Sequence, residues 1–186
     1  GDAGLLAYAR RFDGLTRDSV RVPVEELADA SGRLDREFRR SLDMASAQVR
    51  KFARLQMPQS WMKTTERGVR LGQIVRPLES VGAYVPGGRY PLPSTLMMTV
   101  IPAQVAGVKS VLVASPGSSL ETLGTAGRLG VENFFHMGGA QAIAAFAFGT
   151  DTVPRAERIV GPGNVYVAAA KKLLAGVVGI DFIAGP

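Results

Sequence analysis

Two short stretches, Gly138-Gly139-Ala140-Gln141 and Gly161-Pro162-Gly163-Asn164, set glycines between an apolar run and a helical pattern. Glycine lets the backbone turn tightly and approach a ligand closely, and the N–H groups opening the following helix attract a phosphate or pyrophosphate. A third turn, Tyr84-Val85-Pro86-Gly87-Gly88, follows another apolar run. The first two match neither G-x-G-x-x-G nor the P-loop pattern G-x-x-x-x-G-K-[ST], so the case for a nucleotide rests on three turns together. Gln141 and Asn164 are amides suited to hydrogen-bonding a ribose or a carboxamide. Tyr84 can pack on a ring or hydrogen-bond a cofactor. Each has a plainer use, as a helix cap for the amides and as a half-buried strand residue for the tyrosine. Ser94 either faces the same cleft or caps the helix that follows it. His136 is the only histidine and no Ser, Asp or Glu adjoins it in its motif, so it reads as structural rather than as a general base. Zinc takes three or four ligands, commonly His or Cys, and one His with no Cys does not supply them.

These residues need strands to carry them. From Ser80 onward, short apolar runs end in Gly- or Pro-bearing turns and alternate with helical segments, the pattern of a parallel sheet with crossover helices. Strands are expected at Ser80–Tyr84, Ser110–Ala114, Asn133–His136, Arg158–Val160 and Gly179–Ile183. Helices are expected from Ser94 to Gly107, Leu120 to Leu129, Ala140 to Phe148 and Val165 to Leu174, with a kink at Pro102. Ligands of such sheets collect at the carboxyl ends of the strands, where the glycine turns fall.

The first 77 residues form a helical segment ahead of this unit. Ala3–Phe12 is a short helix that needs a partner, one that could precede Gly1. Val22-Pro23 opens a second helix, which Ser31-Gly32 ends after Ala30. Arg33–Leu55 is the longest, with Leu34, Phe38, Leu42, Ala45, Val49, Phe52 and Ala53 on one face. Gln59–Lys63 is a loop around Trp61. Gly68–Arg76 alternates as a strand or hairpin arm, and Pro77 closes it. The domain division is therefore 1–77 and 78–186.

With 186 residues, 46% hydrophobic and 20% charged, the chain has the composition of a globular protein. The net charge of +6 lies mostly in residues 1–76, which hold 15 Lys/Arg and 10 Asp/Glu. Acids interleave with the arginines there, which favours a solvated, packed helix surface over a nucleic-acid face. No apolar run approaches the roughly 20 residues that span a bilayer. The lack of cysteine excludes disulfides and thiolate metal sites and sits easily with the cytoplasm.

Over essentially its whole length the chain resembles histidinol dehydrogenase. The resemblance is carried by G-D-A-G-L-L and R-F-D-G, then S-V-G-A-Y-V-P-G-G and I-P-A-Q-V-A-G-V. G-G-A-Q-A-I-A-A-F-A-F-G-T, G-P-G-N and I-D-F-I-A-G-P complete it. It implies a three-layer α/β fold like that of aldehyde dehydrogenases, with incomplete Rossmann-type domains. It also implies oxidation of L-histidinol to L-histidine through the aldehyde with two NAD, on a zinc-dependent cytoplasmic homodimer. By motif, Tyr84, Gln141 and Asn164 would contact NAD, and Ser94 in P-S-T-L-M would border the substrate. The family's zinc ligands and its acid/base pair lie downstream of Ala184-Gly185-Pro186. The chain is accordingly expected to carry the cofactor half, to lack the catalytic half and to be inactive alone. Alternatives are a related dehydrogenase of another polar alcohol and a non-catalytic nucleotide-binding module.

Overall fold

A computed structural model describes residues 1–87, 90–117 and 119–182. Its centre is a six-stranded sheet in the order β1-β6-β5-β4-β7-β8. The strands are β1 (Arg21–Val22), β4 (Ser80–Tyr84), β5 (Ser110–Ser115), β6 (Asn133–His136), β7 (Arg158–Val160) and β8 (Gly179–Ile180). All neighbouring pairs are parallel except β1 with β6. Burial of both sheet faces accounts for the near-continuous apolar runs of β4 and β5.

Helices cover both faces, giving three layers. On one face α1 (Asp2–Phe12), α6 (Gly139–Phe148) and α7 (Val165–Leu174) bury Leu5, Ala9, Ile143, Phe146 and Val167 against Tyr84, Leu112, Phe135 and Ile159. On the other, α2 (Val24–Arg33), α4 (Pro93–Val105) and α5 (Leu120–Arg128) bury Leu27, Leu96, Ile101 and Leu123 against Ala83, Val113 and Phe134. Neighbouring strand residues such as Ala83 and Tyr84, or Phe134 and Phe135, go to opposite cores, as a period of two requires. The expected α/β class and parallel sheet are both present.

Several local expectations change. α1 finds its partner within the chain, packing on α6. Asp2 fastens its start, with Oδ2 accepting from the Thr152 N–H at 3.0 Å and the Thr152 hydroxyl at 2.8 Å. α2 runs through Ser31-Gly32 to Arg33, because packing on α5 outweighs the weak helix propensity of those two residues. α3 (Arg36–Leu55) begins later than expected: Asp35 is its N-cap and accepts from the Phe38 N–H at 2.8 Å. Phe52 lies 62% exposed, off the buried face of α3. Trp61 opens strand β2 (Trp61–Glu66) instead of sitting in a loop, and β2 pairs antiparallel with β3 (Val69–Gln73). This is the hairpin arm, and every residue of both strands is exposed, so its alternation marks no buried face. Ile183, expected in the last strand, lies outside the described residues.

Some of the arginines are engaged internally. Arg128 forms a two-pronged pair with Asp43, Arg17 another with Glu26, and Arg50 donates to Gln104.

The tightest helix contact is α2 on α5, where a Cβ added at Gly127 would run into the backbone oxygen of Leu27. Gly127→Ala is therefore expected to lower stability by about 1–3 kcal/mol, the usual cost of overpacking. Denaturant unfolding reads this, and an unchanged midpoint would contradict the packing.

A second test concerns pH. Thr150 and Thr152, beside the Asp2 carboxyl, hold it below its usual value against a smaller effect of burial. That contribution to stability is present above the ordinary carboxylate range and is lost as pH falls through the lowered value. The melting-temperature gap between the native chain and Asp2→Asn should shrink from pH 7 to pH 3. A gap that grows would refute it.

Candidate functional site

The sheet order reverses between β4 and β7: from β4 the chain proceeds outward through β5 and β6, then returns to place β7 on the other side of β4. A crevice opens at such a switch point, outside the carboxyl ends of the strands. Here it is a cleft of about 940 Å³, bordered by Tyr84 from β4, Gly139 and Gln141 from the start of α6, and Asn164 from the turn before α7. Three of the four residues singled out from sequence thus meet at one place. Gly87 lies there too, while Gly88 falls outside the described residues. Tyr8, Phe12, Tyr90 and Tyr166 line the same cleft and are all more than half exposed; Tyr8 and Phe12 stack on each other, and the Arg11 guanidinium lies over the Phe12 ring.

The Gly138–Gln141 and Gly161–Asn164 turns are held by side-chain hydrogen bonds. The Gly139 N–H donates to the Tyr84 hydroxyl oxygen at 3.1 Å. Tyr84 is 2% exposed, and burial raises its phenol above the usual value, with the nearby Asp13 carboxylate adding to the rise. It therefore stays protonated at neutral pH and keeps its own O–H as a donor. Asn164 is the N-cap of α7, and its Oδ1 accepts from the N–H groups of Tyr166 and Val167, both at 3.1 Å. Its oxygen is committed, so what it can offer a ligand is the Nδ2 donor pair.

Asp13, in the turn after α1, escaped sequence reasoning. Its Oδ2 accepts from the Gly138 N–H at 2.9 Å and from Gln141 Nε2 at 3.3 Å. His136 holds that segment in place: its Nε2 lies 2.9 Å from the Asp13 carbonyl oxygen and 3.0 Å from that of Pro116. Both partners are acceptors, so Nε2 carries the proton, and the histidine acts as a brace.

A second omission lies behind the turn before α7. Lys171, 2% exposed, donates from Nζ to the Gly161 carbonyl oxygen at 2.6 Å and to Asp181 Oδ1 at 2.7 Å. Asp181 Oδ2 accepts from the Gly161 N–H at 2.8 Å, so the ion pair grips both backbone polar groups of Gly161. Gly161 has φ +108, and a Cβ there would strike the Tyr84 carbonyl oxygen, so only glycine fits. Lys171 falls one turn after Val167 on a buried stripe, and a cation in such a place needs a partner. That signal was available.

Ser94 is placed elsewhere. Leu92, not Ser94, is the N-cap of α4, because Pro93 occupies the first helical position. Ser94 is exposed and lines a separate, largely apolar cleft of about 730 Å³ with Met98, Pro162 and Asp181. The two clefts share the Gly161–Asn164 turn as a wall.

Among the described residues no three His, Cys, Asp or Glu side chains stand together as a metal site. No helix among them is long and apolar enough to cross a membrane.

Sheet order, layering and the cleft at the strand ends define a doubly wound, Rossmann-like α/β protein. The family model described as Histidinol dehydrogenase matches residues 1–186. The chain is 47% identical to histidinol dehydrogenase of Aquifex aeolicus over 188 residues, covering 100% of this chain and 44% of that protein. It is 48% identical to that of Geobacter sulfurreducens over 193 residues, covering 100% and 45%. The crystal structure of histidinol dehydrogenase from Elizabethkingia anophelis superposes with a TM-score of 0.93 at 37% identity, covering 100% of this chain and 44% of that one. The chain belongs to the histidinol dehydrogenase family. It spans less than half the length of these relatives.

The buried ion pair is open to a direct test. Lys171→Met leaves the Asp181 carboxylate, 15% exposed, without its cation and is expected to cost about 3–5 kcal/mol. Asn164→Ala, which removes only a cap, should cost about 0.5–2 kcal/mol. Denaturant unfolding of both variants measures the two, and a smaller loss for Lys171→Met than for Asn164→Ala would contradict the geometry.

Proposed function

We propose that this chain is the nucleotide-binding portion of an NAD- and zinc-dependent histidinol dehydrogenase, which oxidises L-histidinol to L-histidine through the aldehyde in histidine biosynthesis. The observation that carries the reading is the meeting of Tyr84, Gln141 and Asn164 at the switch-point cleft of a chain belonging to this family. When bound, NAD supplies the hydride acceptor. The chain's own residues would bind and orient it. The Tyr84 hydroxyl and Asn164 Nδ2 donate, Gln141 Oε1 accepts, and Gly87 and Gly139 border the cleft without side chains. Ser94 belongs to this reading on the substrate side, across the Gly161–Asn164 turn from the three cofactor contacts.

Zinc does not fit the residues present. The described residues hold no cluster of ligands, and the Nε2 of His136 is engaged by two carbonyl oxygens. No step is therefore assigned to a metal here. The zinc ligands and the acid/base residues of the full activity are placed, on the family resemblance, in the part of the relatives that this chain does not span. The same reading makes residues 78–186 the cofactor domain and 1–77 its helical extension. A cytoplasmic homodimer goes with it, and the exposed Trp61, Met62, Leu71 and Ile74 of the hairpin region support a protein contact.

Isothermal titration of the purified chain with NAD is expected to show saturable binding. Tyr84→Phe and Gln141→Ala should each weaken it by about 3–10-fold, the effect of one hydrogen bond. Addition of histidinol should yield no NADH. Absence of NAD binding, or steady turnover by this chain alone, would contradict the proposal.

A further inference from the structure

The Gln141 side chain enters the cleft as an amide, and an amide has two faces: an oxygen that accepts and a nitrogen that donates. Which one a ligand meets depends on what holds the other. Asp13 supplies the hold. Its Oδ2 stands 3.3 Å from Gln141 Nε2 and takes the Gly138 N–H at 2.9 Å. A carboxylate accepts and cannot donate, so the opposite setting of the amide would bring two oxygens together. The Asp13 backbone is fixed in turn by its carbonyl oxygen on His136 Nε2. The segment carrying Asp13 therefore has little freedom to follow a rotating Gln141.

We infer that Asp13 is a positioning residue that sets the polarity of Gln141, turning its oxygen to the cleft so that the bound dinucleotide is met there by an acceptor. The inference rests on the nucleotide reading of the cleft and narrows it. The group that Gln141 contacts must be a donor, a ribose hydroxyl or an amine, and not a phosphate oxygen. The same carboxylate already occupies the N–H of Gly138, at the start of α6, where an anion would otherwise be drawn. A pyrophosphate placed on that helix start would face a fixed negative charge. It is accordingly directed away from α6, and the neutral parts of the ligand lie over it.

Holding a carboxylate here has a cost that separates a positioning role from a purely structural one. Burial pushes the Asp13 carboxyl above its ordinary value, against the opposing pull of the Gly138 and Gln141 hydrogen bonds. A carboxyl raised on folding binds its proton more readily in the folded state, so stability falls as pH rises from the usual carboxylate value through the raised one. Above that range the ionised group is thus a stability liability. Asp13→Asn keeps one oxygen, which in the Oδ2 position takes both the Gly138 N–H and Gln141 Nε2, and removes only the charge. Asp13→Ala removes the acceptor and leaves the Gln141 amide free to turn its nitrogen toward the cleft.

Two measurements test this. In the ligand-free chain, the side-chain amide of Gln141, located in ¹⁵N spectra by its loss in Gln141→Ala, is expected to exchange slowly with solvent. In Asp13→Ala it should exchange at the rate of an exposed amide, and in Asp13→Asn slowly. Equal exchange in the native chain and Asp13→Ala would overturn the hold itself, whatever the cleft binds. In NAD titrations, Asp13→Ala is expected to raise Kd by about 3–10-fold, while Asp13→Asn stays within about 3-fold of the native chain.

Native affinity in Asp13→Ala alongside a weakened Gln141→Ala would overturn the inference and leave the nucleotide reading standing. So would affinity lost by Asp13→Asn as fully as by Asp13→Ala, or affinity lost only in step with stability. Failure of the native chain to bind NAD would instead sink the nucleotide reading, and the exchange measurement would still decide the Asp13–Gln141 contact.

Discussion

A glycine turn has no side chain with which to fix itself, and this protein builds its cleft from several of them. Their backbone freedom is removed from outside. Asp13 holds Gly138, the Tyr84 hydroxyl holds Gly139, and the Lys171–Asp181 pair grips both polar groups of Gly161. The cleft keeps its shape because of these tethers. Rotational freedom in the turns is traded for a site ordered before any ligand arrives, which lowers the entropy lost on binding.

The layered architecture makes the tethers possible. Parallel strands bring the carboxyl ends of β4, β6 and β7 to one edge, so residues distant in sequence become neighbours. α1 packs on α6 and delivers Asp13 to the turn that precedes it. β8 runs beside β7 and delivers Asp181 to Gly161. The first residues of the chain are thus part of the site's support, although they lie far from the glycine turns in sequence.

What could be read without coordinates follows from the range of the physics involved. Strands β4, β6 and β7 and helix α7 were legible to the residue, because apolar runs bounded by turn residues are local signals. The three cleft residues were legible because each sits beside its turn. β1 was not, since a two-residue edge strand carries no periodicity and its pairing with β6 spans most of the chain. The strand character of Trp61 was hidden for the opposite reason, as neither face of the hairpin is buried. Asp13 and Asp181 look like ordinary polar residues until long-range contacts give them partners. Ser94 suited a cap as well as the substrate side, but the cap is Leu92, two residues earlier, with Pro93 at the first helical position.

The most direct test of the central claim, that the glycine turns at one sheet edge form a dinucleotide cradle, is an ¹⁵N backbone-amide titration of the chain with NAD. The expected result is saturable, concerted shifts at Gly138, Gly139, Gly161, Gly163 and Tyr84, with α3 and the β2–β3 hairpin unmoved. Shifts confined to α3 and the hairpin, or none at the turns under saturating NAD, would contradict it.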